Sequence, residues 1–207
     1  MTIRPTLRLQ RFADHRLMPW KNGKGETREV ASSEDAASGL LWRLSLATVA
    51  GSGPFSAFPG IDRTIAVMAG DGMVLTVERE SQPPLTTATE PFAFSGDAEV
   101  TAESLSGETT DLNLMTRRGV WHHRLTRRRL TRRPLAAPLT LEVQASTAAL
   151  VFSGAAQVSV NDAAFTGAFG DVLLGLTQGD RITLTEAKSE GYLFLAEFAP
   201  VAEGWAR

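Results

Sequence analysis

Polar and apolar positions alternate in short bursts along this chain. From Leu40 to Val49, Trp42, Leu44 and Leu46 fall on one side, and Arg43, Ser45 and Ala47 on the other. That two-residue period is the signature of a strand. Similar runs predict strands at Leu7–Phe12, Thr27–Ala31, Ile65–Ala69, Met73–Val77, Phe92–Phe94, Glu99–Ala102 and Asp111–Thr116, with a loop over Ser32–Gly39. A second series follows at Leu139–Val143, Leu150–Phe152, Gln157–Val160, Val172–Leu176, Arg181–Thr185 and Tyr192–Phe198. Gly, Pro, Asn or Asp punctuates most gaps. Gly70-Asp71-Gly72, set between two apolar runs, predicts a hairpin. Helical periodicity is poor throughout, so the expected class is all-β, a sandwich or barrel with very little helix.

The pattern occurs twice. Ala66 to Gly70, Leu75 to Val77 and then Phe94-Ser95-Gly96-Asp97 are echoed by Leu150 to Gly154, Val158 to Val160 and Phe169-Gly170-Asp171. The echo predicts two related β modules, residues 1–120 and 121–207, joined near Arg118 to Pro138 and forming one compact unit. With 207 residues and 43% hydrophobic positions the chain can bury a real core. Its formal charge of -2 gives no general attraction to nucleic acid or anionic lipid. No apolar run is long enough to span a bilayer, and the N-terminus lacks a signal-peptide core, so no membrane partner is expected. Cysteine is absent, which excludes disulfides, zinc–thiolate sites and thiol nucleophiles and is compatible with a cytoplasmic location.

Chemistry concentrates in Met18 to Thr27, where Trp20, Lys21, Asn22, Glu26 and Thr27 surround two glycines. A surface loop with no task rarely holds a Trp beside such groups. This segment, Met18-Pro19-Trp20-Lys21-Asn22-Gly23 with Gly25 and Thr27, resembles the HutD/Ves family of cupin-like proteins. The resemblance continues through Trp42-Arg43-Leu44-Ser45, Gly53-Pro54-Phe55-Ser56-Ala57-Phe58-Pro59-Gly60-Ile61-Asp62-Arg63, Phe94-Ser95-Gly96-Asp97 and Asp111 to Arg117. It implies a bicupin fold, two small β-barrels or jelly-roll modules packed in one chain, and a homodimeric habit. It also implies a link to histidine utilisation, with formylglutamate or urocanate as suggested ligands.

Many cupins hold a metal with a His-x-His pair, a Glu and a later His. This chain has only His15, His122 and His123, none in the strands of the first module, so that site cannot be built and neither metal nor cofactor is expected. The polar face of the alternating strands instead offers Arg43, Ser45, Asp111 and Asn113. In a barrel that face lines the lumen; in an open sheet it faces solvent. Asp111 has a further reading as the ion-pair partner of Arg43. Phe55 and Phe58 bracket Ser56 in a loop stiffened by prolines, and Arg63 at its exit can clamp a carboxylate. The alternative for these three is a hydrocarbon plug with a structural ion pair.

The expected function is metal-free binding of a small carboxylate metabolite in a sensing or regulatory role. Trp20, Phe55 and Phe58 would form walls, Arg63, Arg43 and Lys21 would neutralise charge, and Asn22, Asn113 and Thr27 would complete the site. An enzyme of histidine or amide catabolism is the alternative, with Glu29 or Asp111 as the base of a formyl-amide hydrolysis. A second alternative is a nucleic-acid-binding regulator acting through Arg117, Arg118, Arg124, Arg127, Arg128, Arg129, Arg132 and Arg133. The plain reading of that cluster is a solvated linker and strand, partly paired with acidic loops. Gly96-Asp97 and Gly170-Asp171 are expected to be tight turns.

Overall fold

The computed structural model describes residues 5–20, 23–132 and 139–203. Two compact units emerge, one of residues 15–122 and one of residues 5–14 with 123–203. Each is built from two antiparallel sheets, the all-β class expected.

In the first unit, a six-stranded sheet runs in the order Arg16–Pro19, Gly25–Asp35, Gly39–Val49, Thr109–Arg117, Ile61–Ala69, Phe92–Ser95. A four-stranded sheet holds Gly53–Pro54, Val100–Ser104, Met73–Val77 and Glu80–Ser81. Between them lies a core of Val49, Ile65, Val67, Met73, Leu75, Leu85, Val100 and Ala102. The expected loop at Ser32–Gly39 is shorter than predicted, because the second strand continues to Asp35, where the Asp carboxylate accepts bonds from the Ala37 and Ser38 amides and turns the chain.

Gly70-Asp71-Gly72 is not a hairpin. Ile61–Ala69 belongs to the six-stranded sheet and Met73–Val77 to the four-stranded one, so these three residues turn a corner between sheets. Gly70 (φ 89°) and Gly72 (φ 99°) are both left-handed, and a Cβ at either would meet a backbone carbonyl, of Glu108 and Leu85 respectively, at 2.2 and 2.0 Å. Close approach of the Glu108 and Leu85 backbone sets this corner.

The second unit pairs a five-stranded sheet, Arg8–Gln10, Val172–Leu176, Thr147–Phe152, Gly191–Pro200, Trp121–Leu130, with a four-stranded one, Leu139–Glu142, Arg181–Ala187, Ala156–Val160, Ala163–Gly167. The expected module boundary therefore needs correction at its N-terminal end. Arg8 lies opposite Leu174, and Leu7 and Leu9 pack on the core of the second unit. Asp171 fixes that strand by accepting the Phe12 amide at 3.0 Å and the Arg11 guanidinium at 2.7 Å. Gly170-Asp171 thus does more than close a tight turn. The core of this unit is built of hydrocarbon side chains, with Phe152, Leu150, Val158, Leu173 and Leu193 at no more than 1% exposure.

Several arginines of the cluster contact other parts of the protein, while Arg118, Arg128, Arg129 and Arg132 are exposed. Trp121–Leu130, a strand in keeping with the plain reading of the cluster, carries Arg124, whose Nε and Nη2 donate to the buried Glu197 at 3.1 and 2.8 Å. Arg127 lies 4.8 Å over the Tyr192 ring, and Arg118 bridges Asp62 and Asp97. Asp97 also accepts the Gly60 amide, and these bonds hold its carboxyl down at about 2. Arg133 lies outside the described residues.

Candidate functional site

Strand register assembles the site. On Thr109–Arg117, Asp111, Asn113 and Met115 share one face. Asp111 lies opposite Ala47 and Val67, Asn113 opposite Ser45 and Ile65, and Met115 opposite Arg43 and Arg63. Residues directly opposite one another on neighbouring strands share a face. Arg43, Ser45, Arg63, Asp111 and Asn113 therefore point to the same side, and Arg43 and Arg63 flank Met115 about 10 Å apart along the hydrogen-bonding direction. This face is the lumen of the first unit. It forms one wall of a cavity of about 550 Å³.

The aromatic walls come from two loops. Trp20 is held by its indole Nε1, which donates to Thr27 Oγ1 at 2.9 Å. A Cβ on Gly25 would strike the Thr48 carbonyl and touch the Trp20 ring, so only glycine lets the indole settle against this strand. Phe55 and Phe58 are pinned over the cavity because their amides donate to Val100 and Gly96, both at 2.8 Å. Replacing Thr27 with Val removes the indole's acceptor at unchanged shape. The expected loss is about 1 kcal/mol in urea unfolding.

Trp20, Thr27, Arg43, Phe55, Phe58, Arg63 and Asn113, all singled out from sequence, line this one cavity. Lys21 and Asn22 lie outside the described residues. Met18, Pro19, Pro54, Ser56, Ser45 and Asp111 also line it. Ser45 and Asp111 are legible from strand alternation, whereas Met18 and Pro54 carry no polar signal that would mark them. Glu29 is not among the lining residues and lies 3.6 Å from Arg16. Glu26 pairs with Arg28 at 3.1 Å.

The electrostatics are unusual. Arg63 is 6% exposed and sits over three phenyl rings, with its guanidinium carbon 5.4 Å from Phe55, 5.4 Å from Phe58 and 4.8 Å from Phe94. Phe94 is an addition to the cage that the sequence pattern does not signal. Arg43 stands 5.2 Å over Phe58. Neither arginine makes an ion pair among the described residues, so the expectation of a structural ion pair, including one between Arg43 and Asp111, does not hold. Burial pushes Arg63 down to about 10, opposed by Asp111 and reinforced by Arg43. Burial also lowers Arg43, against the pull of Glu29 and Glu34. Asp111 is 2% exposed, and burial raises its carboxyl to about 7, with Arg63 offsetting part of that rise.

Five buried polar atoms on this face have no hydrogen-bond partner in the protein: Arg43 Nε, Ser45 Oγ, Arg63 Nε, Asp111 Oδ2 and Asn113 Oδ1. Each such group costs about 1–3 kcal/mol when left unmet. Their convergence in one cavity marks a surface shaped for a polar guest. The donor set does not suit a metal of the usual cupin kind, because no imidazole lines the cavity and two guanidiniums would repel a cation.

Two cupin-like β units, one of them holding a cationic, aromatic-walled cavity, define a protein of the bicupin class. A cupin barrel protein from Leptotrichia buccalis shares this fold, with TM-score 0.52 at 12% identity over 84% of this chain and 88% of that one. The chain belongs to the HutD family, whose model matches residues 12–198. It is 34% identical to Protein Ves of Citrobacter koseri over 90% of this chain and 92% of that protein. It is 44% identical to an uncharacterized 21.2 kDa protein in the hutC 3' region of Pseudomonas putida, over 53% of this chain and 57% of that relative's length. Among solved structures, a conserved protein of unknown function from Pseudomonas aeruginosa matches with TM-score 0.79 and 33% identity, covering 94% of this chain and 99% of that one. HutD from Pseudomonas fluorescens SBW25, described in a formate condition, matches with TM-score 0.75 and 31% identity at the same coverage. The family is linked to the histidine-utilisation locus. Among the described residues, no helix is long and apolar enough to cross a membrane.

Proposed function

We propose that this protein binds a small carboxylate metabolite in the cavity of its first unit, in a cytoplasmic sensing or regulatory role tied to histidine utilisation. One observation carries the reading: Arg63 and Arg43 bring two positive charges into a cavity whose one carboxyl among the described residues, Asp111, ion-pairs with neither, and their Nε atoms have no partner. A carboxylate supplies the missing charge and acceptors at once, and a guanidinium matches its two oxygens. The phenyl rings exclude water, which strengthens the attraction. Asn113 and Ser45 add polar groups for an amide or carbonyl on the same ligand. Formylglutamate and urocanate fit this description.

Thermal-shift screening against formylglutamate, urocanate, glutamate and formate tests the reading. Saturation at about a hundred times Kd adds about 2.7 kcal/mol, a rise of several degrees. No rise with any of the four contradicts the proposal.

A second reading is favoured by one observation, the buried Asp111 carboxyl raised to about 7, which suits a general acid or base. In that reading the protein hydrolyses a formyl amide. Mass-spectrometric detection of free formate and amine, lost in Asp111→Asn, would replace binding by catalysis.

A further inference from the structure

Asp111 is the one carboxyl lining the cavity, among the described residues, and it is buried. Glu26, Glu29, Asp62 and Asp97 each have a basic partner within 4 Å. Asp111 has none, and its Oδ2 is buried and unbonded. It stands two residues from Asn113 on the same face, with Arg63 near enough to act on it electrostatically. A guest anion would enter the space these groups share. Two negative charges in one cavity repel, and the protein has one group there that can shed its charge by taking a proton.

We propose that anion binding in this cavity is coupled to proton uptake at Asp111, so that the acid becomes a neutral hydrogen-bond donor to the bound ligand. The inference rests on the carboxylate reading above and deepens it. In the free protein Asp111 partly neutralises the arginines. In the complex the ligand takes over that task, the Asp111 carboxylate accepts a proton from solvent, and its O–H donates to a ligand oxygen. For a monoanion such as formate, the two arginines then face one negative charge in either state, and affinity depends on pH.

The charged groups facing Asp111 are few. The Gly39–Val49 strand contributes Arg43, the Ile61–Ala69 strand Arg63, and the Gly25–Asp35 strand Glu29, one row away and beside Arg16. The loop from Gly53 to Gly60 carries no charge, nor do Met18 and Pro19. Neither arginine titrates near neutrality, so a pH response of this site in that range falls to Asp111. With its free-state midpoint at about 7, a rise of one unit on binding takes up about 0.4 proton at pH 7 and weakens binding about fivefold from pH 6 to pH 8.

Isothermal titration of the full chain with N-formylglutamate and with formate, each in two buffers of different ionisation enthalpy, reads the proton directly. Binding with an uptake near 0.4 proton in wild type and none in Asp111→Asn supports the proposal. Binding with no uptake in wild type overturns it and leaves the carboxylate reading standing. Binding of neither probe overturns both. Should Asp111→Asn fail to fold, carbon-13 titration of the Asp111 carboxyl in wild type reads the same coupling. A midpoint that rises on adding probe supports the proposal, and one that stays fixed or falls overturns it.

Discussion

Arg63→Met is expected to abolish the ligand response while leaving the fold intact or firmer. Methionine keeps much of the arginine's apolar length against Phe55, Phe58 and Phe94 and removes a guanidinium that burial already destabilises. Replacing a buried charge by an apolar side chain of similar reach is often neutral or stabilising by about 1–4 kcal/mol. Losing one partner of a desolvated charge contact to ligand costs about 2–5 kcal/mol, roughly 30- to 5,000-fold in Kd. The unliganded melting temperature should therefore hold or rise, and the shift seen with wild type should vanish. A variant that melts lower yet still responds to carboxylate would mean that Arg63 serves packing alone.

The second large effect is on stability against pH. The Asp111 carboxyl sits near its ordinary value of 3.8 when unfolded and at about 7 when folded. The native state therefore binds more protons than the unfolded state between these values. Stability falls as pH rises through that window and levels off above it. Asp111→Asn has no proton to lose. In urea unfolding, its stability relative to wild type should increase by up to about 3 kcal/mol between pH 5 and pH 8. Comparing the two proteins cancels contributions from other carboxyls such as Asp97, whose depressed value acts only in acid. A constant difference across that range would place the Asp111 charge in contact with water or a cation.

Much of the site is readable from sequence because the physics that builds it is local. Alternation along Leu40–Val49 and Asp111–Thr116 marks which side chains share a face, and register needs only neighbouring strands. The Trp20 segment and the Phe55–Phe58 loop carry their chemistry in a few consecutive residues. What stays hidden depends on distant partners. Phe94 reaches Arg63 because Phe92–Ser95 pairs with Ile61–Ala69, and nothing within either strand announces it. Arg8–Gln10 reads as a strand, yet its partner Leu174 lies more than 160 residues away, so its membership in the second unit is not legible locally. Trp121–Leu130 is legible as a strand only through the plain reading of the cluster, because arginines, with their apolar stems and ion pairs, substitute there for the usual β-branched residues. Gly70-Asp71-Gly72 has the local chemistry of a hairpin, and only the distant backbone of Glu108 and Leu85, packed against it, decides that it is a corner.

The two units have parted in character. Leu150, Phe152 and Leu173 pack in the core of the second, whereas Arg43, Ser45, Asp111 and Asn113 line the interior of the first. Holding those polar groups out of water costs stability, which a binding site explains and a structural role does not.

Crystals grown with N-formylglutamate offer the most direct measurement. The account predicts ligand density inside the first unit, with a carboxylate within hydrogen-bonding distance of Arg63 or Arg43 and the chain wrapped by Trp20, Phe55 and Phe58. Density only on the outer surface at saturating ligand, with both guanidiniums untouched, would contradict it.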